Sequence, residues 1–187
     1  WTLFITIWVL TVNFAPLWLC YMLLVNSTLL LYEKQVSTGL SETLFYTILF
    51  LLNGSVALTA IVLRKKYHRL NIPTYFTNSV ALASVAFATI GAIEGIFDHD
   101  HVYLALLSVI IVVLYTVGIR YAFKRKNGFY LAIFPFSLII ILSAVLLDIS
   151  DDEYIFLTVS IFIVISVTFI VRNLIKLQKA KQHGIQE

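Results

Sequence analysis

Cysteine, proline, glycine and charged residues are all scarce in this chain of 187 residues. A single cysteine excludes a disulfide scaffold and a cysteine-rich metal site. Three prolines and seven glycines exclude a collagen-like fibre. Charged residues make up 12% of the chain and hydrophobic residues 60%, whereas a soluble domain has about 25% charged residues. This composition excludes an ordinary soluble domain and a disordered chain, and it indicates an integral membrane protein.

Six long apolar segments follow one another along the chain, each near or above the length of about 20 residues that a transmembrane helix needs. They lie at about Thr2–Tyr32, Thr43–Leu63, Tyr75–Phe97, Val102–Ile119, Phe129–Leu147 and Tyr154–Ile175. Short outer turns make sequential spans antiparallel neighbours. We therefore predict an all-α, polytopic integral membrane helical bundle, with about six transmembrane helices in three antiparallel hairpins, forming a single domain over residues 1–187.

The first segment is too long for one straight span, and Asn13 and Pro16 interrupt it. Proline lacks an N–H and clashes with the preceding turn, so it kinks or ends a helix. Two interpretations stay open: one tilted, kinked helix, or an earlier span whose tail is residues 1–12. Because the chain opens on Trp1 directly into apolar residues, we expect the native N-terminus to lie upstream.

The charged residues alternate in sign between successive connections. All basic residues except Lys34 lie at the end of the second, fourth and sixth spans or follow them: Arg64, Lys65, Lys66, Arg69, Arg120, Lys124, Arg125, Lys126, Arg172, Lys176, Lys179 and Lys181. Acidic residues occupy the opposite turns: Glu33, Glu42, Asp98, Asp100, Asp148, Asp151, Asp152 and Glu153. Lys and Arg are retained on the cytoplasmic side during insertion. The sequence therefore predicts a multi-pass cell-membrane protein with the basic loops and the C-terminus in the cytoplasm and the acidic turns outside.

Polar residues inside the spans are the first candidates for a functional site. Glu94 is the one acidic residue placed within a span, and such groups are costly in a membrane and often functional. Asn26 and Asn53 lie in other apolar runs. These three residues are candidates to line an ion or substrate path. The alternative is that the amides bond across helices, that Glu94 reaches interfacial water, and that Gly91 and Gly95 serve close helix packing.

The outer turn after the third span holds the densest group of metal-ligand types, Asp98, His99, Asp100 and His101. Imidazole and carboxylate groups suit Zn²⁺ and related ions. The alternative, which the sequence favours, is a solvated acidic turn without metal. We therefore predict no metal and no cofactor.

Catalytic motifs are absent from the sequence, with no nucleophile elbow, phosphate-binding glycine loop or zinc-protease helix. The basic runs are short juxtamembrane flanks, so nucleic-acid binding is not expected. Two functions remain, with an enzyme less favoured than either. The first is a protein that acts by interaction, as scaffold, sensor or accessory subunit, with the lipid bilayer and other membrane subunits as partners. The second is a small transporter or channel.

The stretch PLWLCYMLLVNSTLLLYE, residues 16–33, resembles a span of bacterial predicted membrane proteins of domain-of-unknown-function family 2157. Members of that family carry a polar helical N-terminal region followed by several transmembrane helices. The resemblance implies a membrane-embedded helical region for this chain. It implies no catalytic residues.

Overall fold

A computed structural model describes residues 2–12, 14–36, 39–66, 72–125, 127–149 and 154–183 of the chain. Over these residues it contains seven α-helices and no β-strand, which confirms the predicted all-α class. The helices are α1 (Thr2–Thr11), α2 (Ala15–Val36), α3 (Glu42–Lys66), α4 (Thr74–Phe97), α5 (His101–Arg125), α6 (Gly128–Ile149) and α7 (Ile155–His183).

Six of the described helices, α2 to α7, are long and apolar enough to cross a membrane. Hydrocarbon offers no partner for free backbone groups, so a spanning segment must make its hydrogen bonds within itself, as a helix does. The six helices agree with the six predicted spans except at the start of the first and at two ends. Helices α5 and α7 continue to Arg125 and His183, beyond the predicted ends at Ile119 and Ile175. The chain is a multi-pass helical membrane protein by this measure.

The first predicted span is two helices rather than one kinked helix, which corrects that interpretation. Helix α1 ends at Thr11 and α2 starts at Ala15, while Asn13 lies outside the described residues. Pro16 is the second residue of α2, where its missing N–H costs no helical hydrogen bond. The indole Nε1 of Trp18 donates to the carbonyl of Val12 at 3.2 Å, so a side chain of α2 satisfies a carbonyl at the end of α1.

Helix α1 folds back along α2. The hydroxyl groups of Thr6 and Tyr21, which lie at similar distances on either side of the break, are 2.8 Å apart. This hydrogen bond joins the two helices within a largely apolar contact. Residues Thr2–Thr11 therefore pack as a separate short helix against α2.

The contacts divide the chain into two compact units. The first comprises Trp1–Ser41 and Phe45–Phe87, and the second comprises Glu42–Leu44 and Ala88–Glu187. Helices α3 and α4 each contribute residues to both units. The predicted single-domain organisation stays a prediction.

The first unit has an aromatic and aliphatic core between α2, α3 and α4. Leu49 is fully buried and Phe50 nearly so. Trp18 packs edge-on against Phe76 with ring centroids 5.7 Å apart. Large apolar side chains therefore pack these helices together, next to the small and polar residues described below.

In the second unit, α6 packs against both α5 and α7. Leu107 of α5 is fully buried. Helix α7 places most of its described side chains outward, and Phe156, Val164 and Phe169 are 73%, 64% and 67% exposed. Such exposure is a liability in water, but in a bilayer these side chains contact acyl chains as apolar as themselves.

Candidate functional site

Asn26 and Asn53 form a closed pair in the first unit. The Asn26 Nδ2 donates to Asn53 Oδ1 at 3.0 Å, and the Asn53 Nδ2 donates to Asn26 Oδ1 at 2.8 Å. The Asn53 Nδ2 also donates to the carbonyl of Leu49 at 2.9 Å. Both residues are buried, Asn53 completely. The structure thus brings together two of the three residues proposed to line a path. The amide oxygen of each accepts a hydrogen bond from the amide nitrogen of the other.

A close approach of α3 and α4 lies next to this pair. The hydroxyl of Ser84 donates to the carbonyl of Phe50 at 2.9 Å. A Cβ added at Gly54 would lie 3.1 Å from the Ser84 Oγ. The absence of a side chain at Gly54 therefore lets Ser84 reach the backbone of α3, which is the role of small residues between membrane helices.

A hydroxyl network joins three helices of the second unit. The Oγ of Ser137 in α6 lies 2.7 Å from the Oγ1 of Thr89 in α4 and 2.8 Å from the hydroxyl oxygen of Tyr115 in α5. All three residues are buried. The sequence does not predict this network, because single hydroxyl residues are common in apolar runs. No spacing along the chain relates residues on three different helices.

Aromatic rings cover the network along α5 and α6. The rings of Tyr115 and Phe134 have centroids 4.9 Å apart, and Tyr130 stacks on Phe134 at 6.2 Å. A Cβ added at Gly118 would lie 2.6 Å from two carbons of the Phe134 ring. Gly118 therefore provides the space that this ring occupies. The sequence indicates this contact only by the presence of a glycine in α5 and a phenylalanine in α6.

Glu94 belongs to the second unit, near the end of α4, and is partly exposed. Glu42 and Asp98 are close enough to interact with it electrostatically. At the next position, a Cβ added at Gly95 would lie 3.0 Å from the Thr43 side chain and 3.2 Å from the Leu104 Cβ. Gly95 thus supports close packing of α4 against α3 and α5, as its spacing suggested.

The turn between α4 and α5 is organised by its backbone. The N–H of Asp100 donates to the carbonyl of Gly95 at 3.2 Å and the N–H of His99 to that of Ile96 at 3.3 Å, the pattern of a Schellman cap. His99 adopts the left-handed conformation, with φ of 53°, which this cap requires. Its ring Nδ1 lies 3.1 Å from the carbonyl oxygen of Ile96, so in this contact it acts as a donor.

The two histidine rings of this turn are stacked, with centroids 6.2 Å apart and planes at 18°. Lone pairs lie in the ring planes, so two stacked rings direct them side by side instead of toward one point. Over the described residues, no three His, Cys, Asp or Glu side chains are arranged to hold a metal ion. The geometry of the turn indicates that His99 caps the C-terminal end of α4.

Glu94 lies in one compact unit and the Asn26–Asn53 pair in the other. Their convergence on one path stays a prediction. No protein-family model, characterised protein or solved structure matches this chain. The resemblance of residues 16–33 to family 2157 likewise stays a prediction.

Proposed function

We propose that this protein acts by interaction within the membrane, as a scaffold, sensor or accessory subunit. The observation that carries the proposal is the closed Asn26–Asn53 pair. Residues that line a substrate path must present polar groups to the substrate. In this pair each amide oxygen accepts from the other amide, and Asn53 completes its donors on the carbonyl of Leu49.

The hydroxyl network of the second unit supports the same proposal. The Oγ of Ser137 lies within hydrogen-bond distance of the hydroxyl groups of both Thr89 and Tyr115, in a buried and tightly packed site. Polar side chains that bond across membrane helices in this way hold a bundle together. Such a bundle is suited to present its outer faces to lipid and to other membrane proteins.

Site-specific photo-crosslinking in native membranes tests this proposal. A photoreactive residue at Val164, which is exposed on α7, should give a discrete adduct with another polypeptide. The same residue at Val159, which is buried on the same helix, should give none. Lipid adducts alone at Val164 and at other exposed positions of the spans would contradict an interaction role.

The alternative is a small transporter or channel, and Glu94 is the observation in its favour. An ionisable side chain in a spanning helix, near two further carboxylates, is a candidate for a proton or cation site. Reconstitution into liposomes with an internal pH dye decides between the two functions. A proton flux that is lost in Glu94→Gln would replace the interaction proposal with transport.

The proposed orientation places the basic ends of the helices in the cytoplasm, and the positive-inside rule supports it. After replacement of Cys20 by Ser, single cysteines at Lys65, Lys124 and Lys176 should be protected from an impermeant thiol reagent in intact cells. A cysteine at Asp148 should react. Labelling at position 124 together with protection at position 148 would reverse the orientation.

A further inference from the structure

The second unit separates its charges by sign along the helix axes. Four exposed cations lie toward the C-terminal ends of α5 and α7: Arg120, Lys124, Arg172 and Lys176. Each helix carries its two cations four residues apart, hence on one face. Both helices pack against α6, which runs antiparallel to each, so the four cations lie at the same end of the unit. We call these four residues the cationic end.

No carboxylate of the described chain pairs with the cationic end. The described acidic residues of this unit lie on α3, α4 and α6 or in the turn before α5: Glu42, Glu94, Asp98, Asp100 and Asp148. Like charges four residues apart on a helix repel each other. The neutralising anion must therefore come from outside the described protein.

The depth of the cations matches the level of lipid phosphates. Arg120 lies 19 residues after the first residue of α5, and Arg172 lies 17 residues after the first residue of α7. At a rise of about 1.5 Å per residue these separations are about 29 and 26 Å. The hydrocarbon core is about 30 Å thick, so both pairs reach the headgroup region when the opposite helix ends lie at the other interface.

The helix dipole accounts for only part of this arrangement. Cations stabilise the last turn of a helix, and Lys124 lies in the last turn of α5. Helix α7, however, continues to His183, two turns beyond Lys176. Arg172 and Lys176 therefore gain little from the dipole of their own helix.

We propose that the cationic end binds the phosphate groups of acidic phospholipids in preference to zwitterionic lipids. On each helix, two exposed cations on one face suit a phosphodiester that carries no compensating positive charge. A choline headgroup brings its own cation to the same place and gains less. The proposal holds for a scaffold and for a transporter alike.

Native mass spectrometry of the detergent-solubilised protein tests this proposal by titration with phosphatidylglycerol and, separately, with phosphatidylcholine of the same acyl chains. We expect phosphatidylglycerol to bind at least about tenfold more tightly. The double variant R172Q/K176Q should weaken phosphatidylglycerol binding about thirtyfold, since each basic residue near an anionic lipid surface contributes about one factor of five. Its phosphatidylcholine affinity should not change.

The matched control is K65Q/K66Q, which removes the same charge from α3 in the first unit. Lys65 and Lys66 are adjacent and do not share one helix face, so we expect a smaller loss of phosphatidylglycerol binding than in R172Q/K176Q. The charge-conserving variant R172K/K176R should bind as the parent does, which separates lost charge from lost folding. Equal affinity for the two lipids, or an equal loss in K65Q/K66Q, would overturn the proposal. Displacement of phosphatidylglycerol by millimolar inorganic phosphate would assign the site to free phosphate instead of lipid.

Discussion

The interiors of the two units join their helices with different polar groups. The first uses two amides that bond to each other across α2 and α3, and the second uses three hydroxyl groups across α4, α5 and α6. An amide that loses its partner leaves strong hydrogen-bond donors and an acceptor in an apolar interior. A hydroxyl can rotate to the carbonyl four residues earlier on its own helix, as Ser143 does with Ile139 at 2.8 Å.

This difference teaches that hydrogen bonds of similar length contribute unequally to stability. Removal of one amide leaves the oxygen of the other without a donor, because helix carbonyls accept hydrogen bonds and cannot donate them. Removal of one hydroxyl leaves groups that can still donate to nearby carbonyls. The second unit also depends on steric fit, because the Phe134 ring occupies the space that a side chain at Gly118 would need. The predictions below test these two dependences in order of expected size.

Gly118→Ala should produce the largest loss, about 3 kcal/mol in the free energy of unfolding. The added Cβ would lie 2.6 Å from the Phe134 ring, which Tyr115 and Tyr130 hold from two sides. Gly54→Ala in the first unit meets one hydroxyl at 3.1 Å and should lose about 1 kcal/mol. Unfolding in mixed detergent micelles measures both changes.

The control for this prediction is Gly128→Ala, whose added Cβ has no neighbour within 4 Å. It should change stability by less than about 0.5 kcal/mol. A loss at Gly118 no larger than the change at Gly128 would show that steric fit does not distinguish the second unit.

Asn53→Ala should lower the free energy of unfolding by about 2 kcal/mol, because it leaves the buried Asn26 amide without its partner. The double variant N26L/N53L should recover part of this loss, since both polar groups are then removed. The same unfolding assay on the two single variants and the double variant gives the coupling energy. Additive losses would contradict a closed pair.

Ser137→Ala should lower the free energy of unfolding by about 1 kcal/mol, less than Asn53→Ala, although it removes two contacts. The hydroxyl of Thr89 can turn to a carbonyl of its own helix, which limits the cost. Tyr115→Phe, which keeps the ring and removes one hydroxyl, is the matched variant and should lose about 0.6 kcal/mol. A loss at Ser137 above that of Asn53 would reverse the comparison of amide and hydroxyl.

The turn between α2 and α3 and the turn between α4 and α5 offer a smaller contrast. Gly39 in the first has φ of 70°, whereas His99 occupies the corresponding left-handed region in the second with φ of 53°. His99→Gly should raise the free energy of unfolding by about 0.5 kcal/mol, since glycine takes this conformation without a steric cost. Gly39→Ala should lower it by about 1 kcal/mol. Destabilisation by His99→Gly would show that the ring's contacts outweigh the backbone cost.

Glu94→Gln should have the smallest effect, within about 0.5 kcal/mol. The side chain is partly exposed, and the amide keeps its shape while the charge is removed. Gly95→Ala at the next position is the matched contrast and should cost about 2 kcal/mol, because the Leu104 Cβ is fixed to the backbone at 3.2 Å. Strong destabilisation by Glu94→Gln would assign the carboxylate a structural role that its partial exposure does not suggest.

Much of the fold could be predicted from the sequence, because the lipid bilayer restricts where charged residues can lie along a helix. The helix ends at Lys66, Phe97 and Ile149 lie within three residues of the predicted ends, because charge marks where a span leaves hydrocarbon. The break before Pro16 was also visible, although the separate packing of α1 was not. The indole bond from Trp18 to Val12 that ends α1 joins residues whose spacing carries no recognised signal.

The candidate site could be predicted less well. Asn26 and Asn53 were recognised as polar residues in apolar runs, yet nothing in their spacing states that they meet. Ser137 and Tyr115 were not selected at all, because a hydroxyl in a membrane helix is unremarkable until its neighbours are known. His99 was selected as a ligand type, and the structure shows it as a helix cap.

The sequence by itself determined the class, the number of spans and the order of charges along them. It could do so because a bilayer accepts only long apolar helices and places charge at their ends. Only the tertiary structure decided which polar side chains face each other. These helices are apolar on all sides, since lipid and protein interior are equally apolar, so no periodic pattern marks the buried face. Within the first unit the rotation of the helices about their axes brings the two amides together. Within the second unit it brings the three hydroxyl groups together.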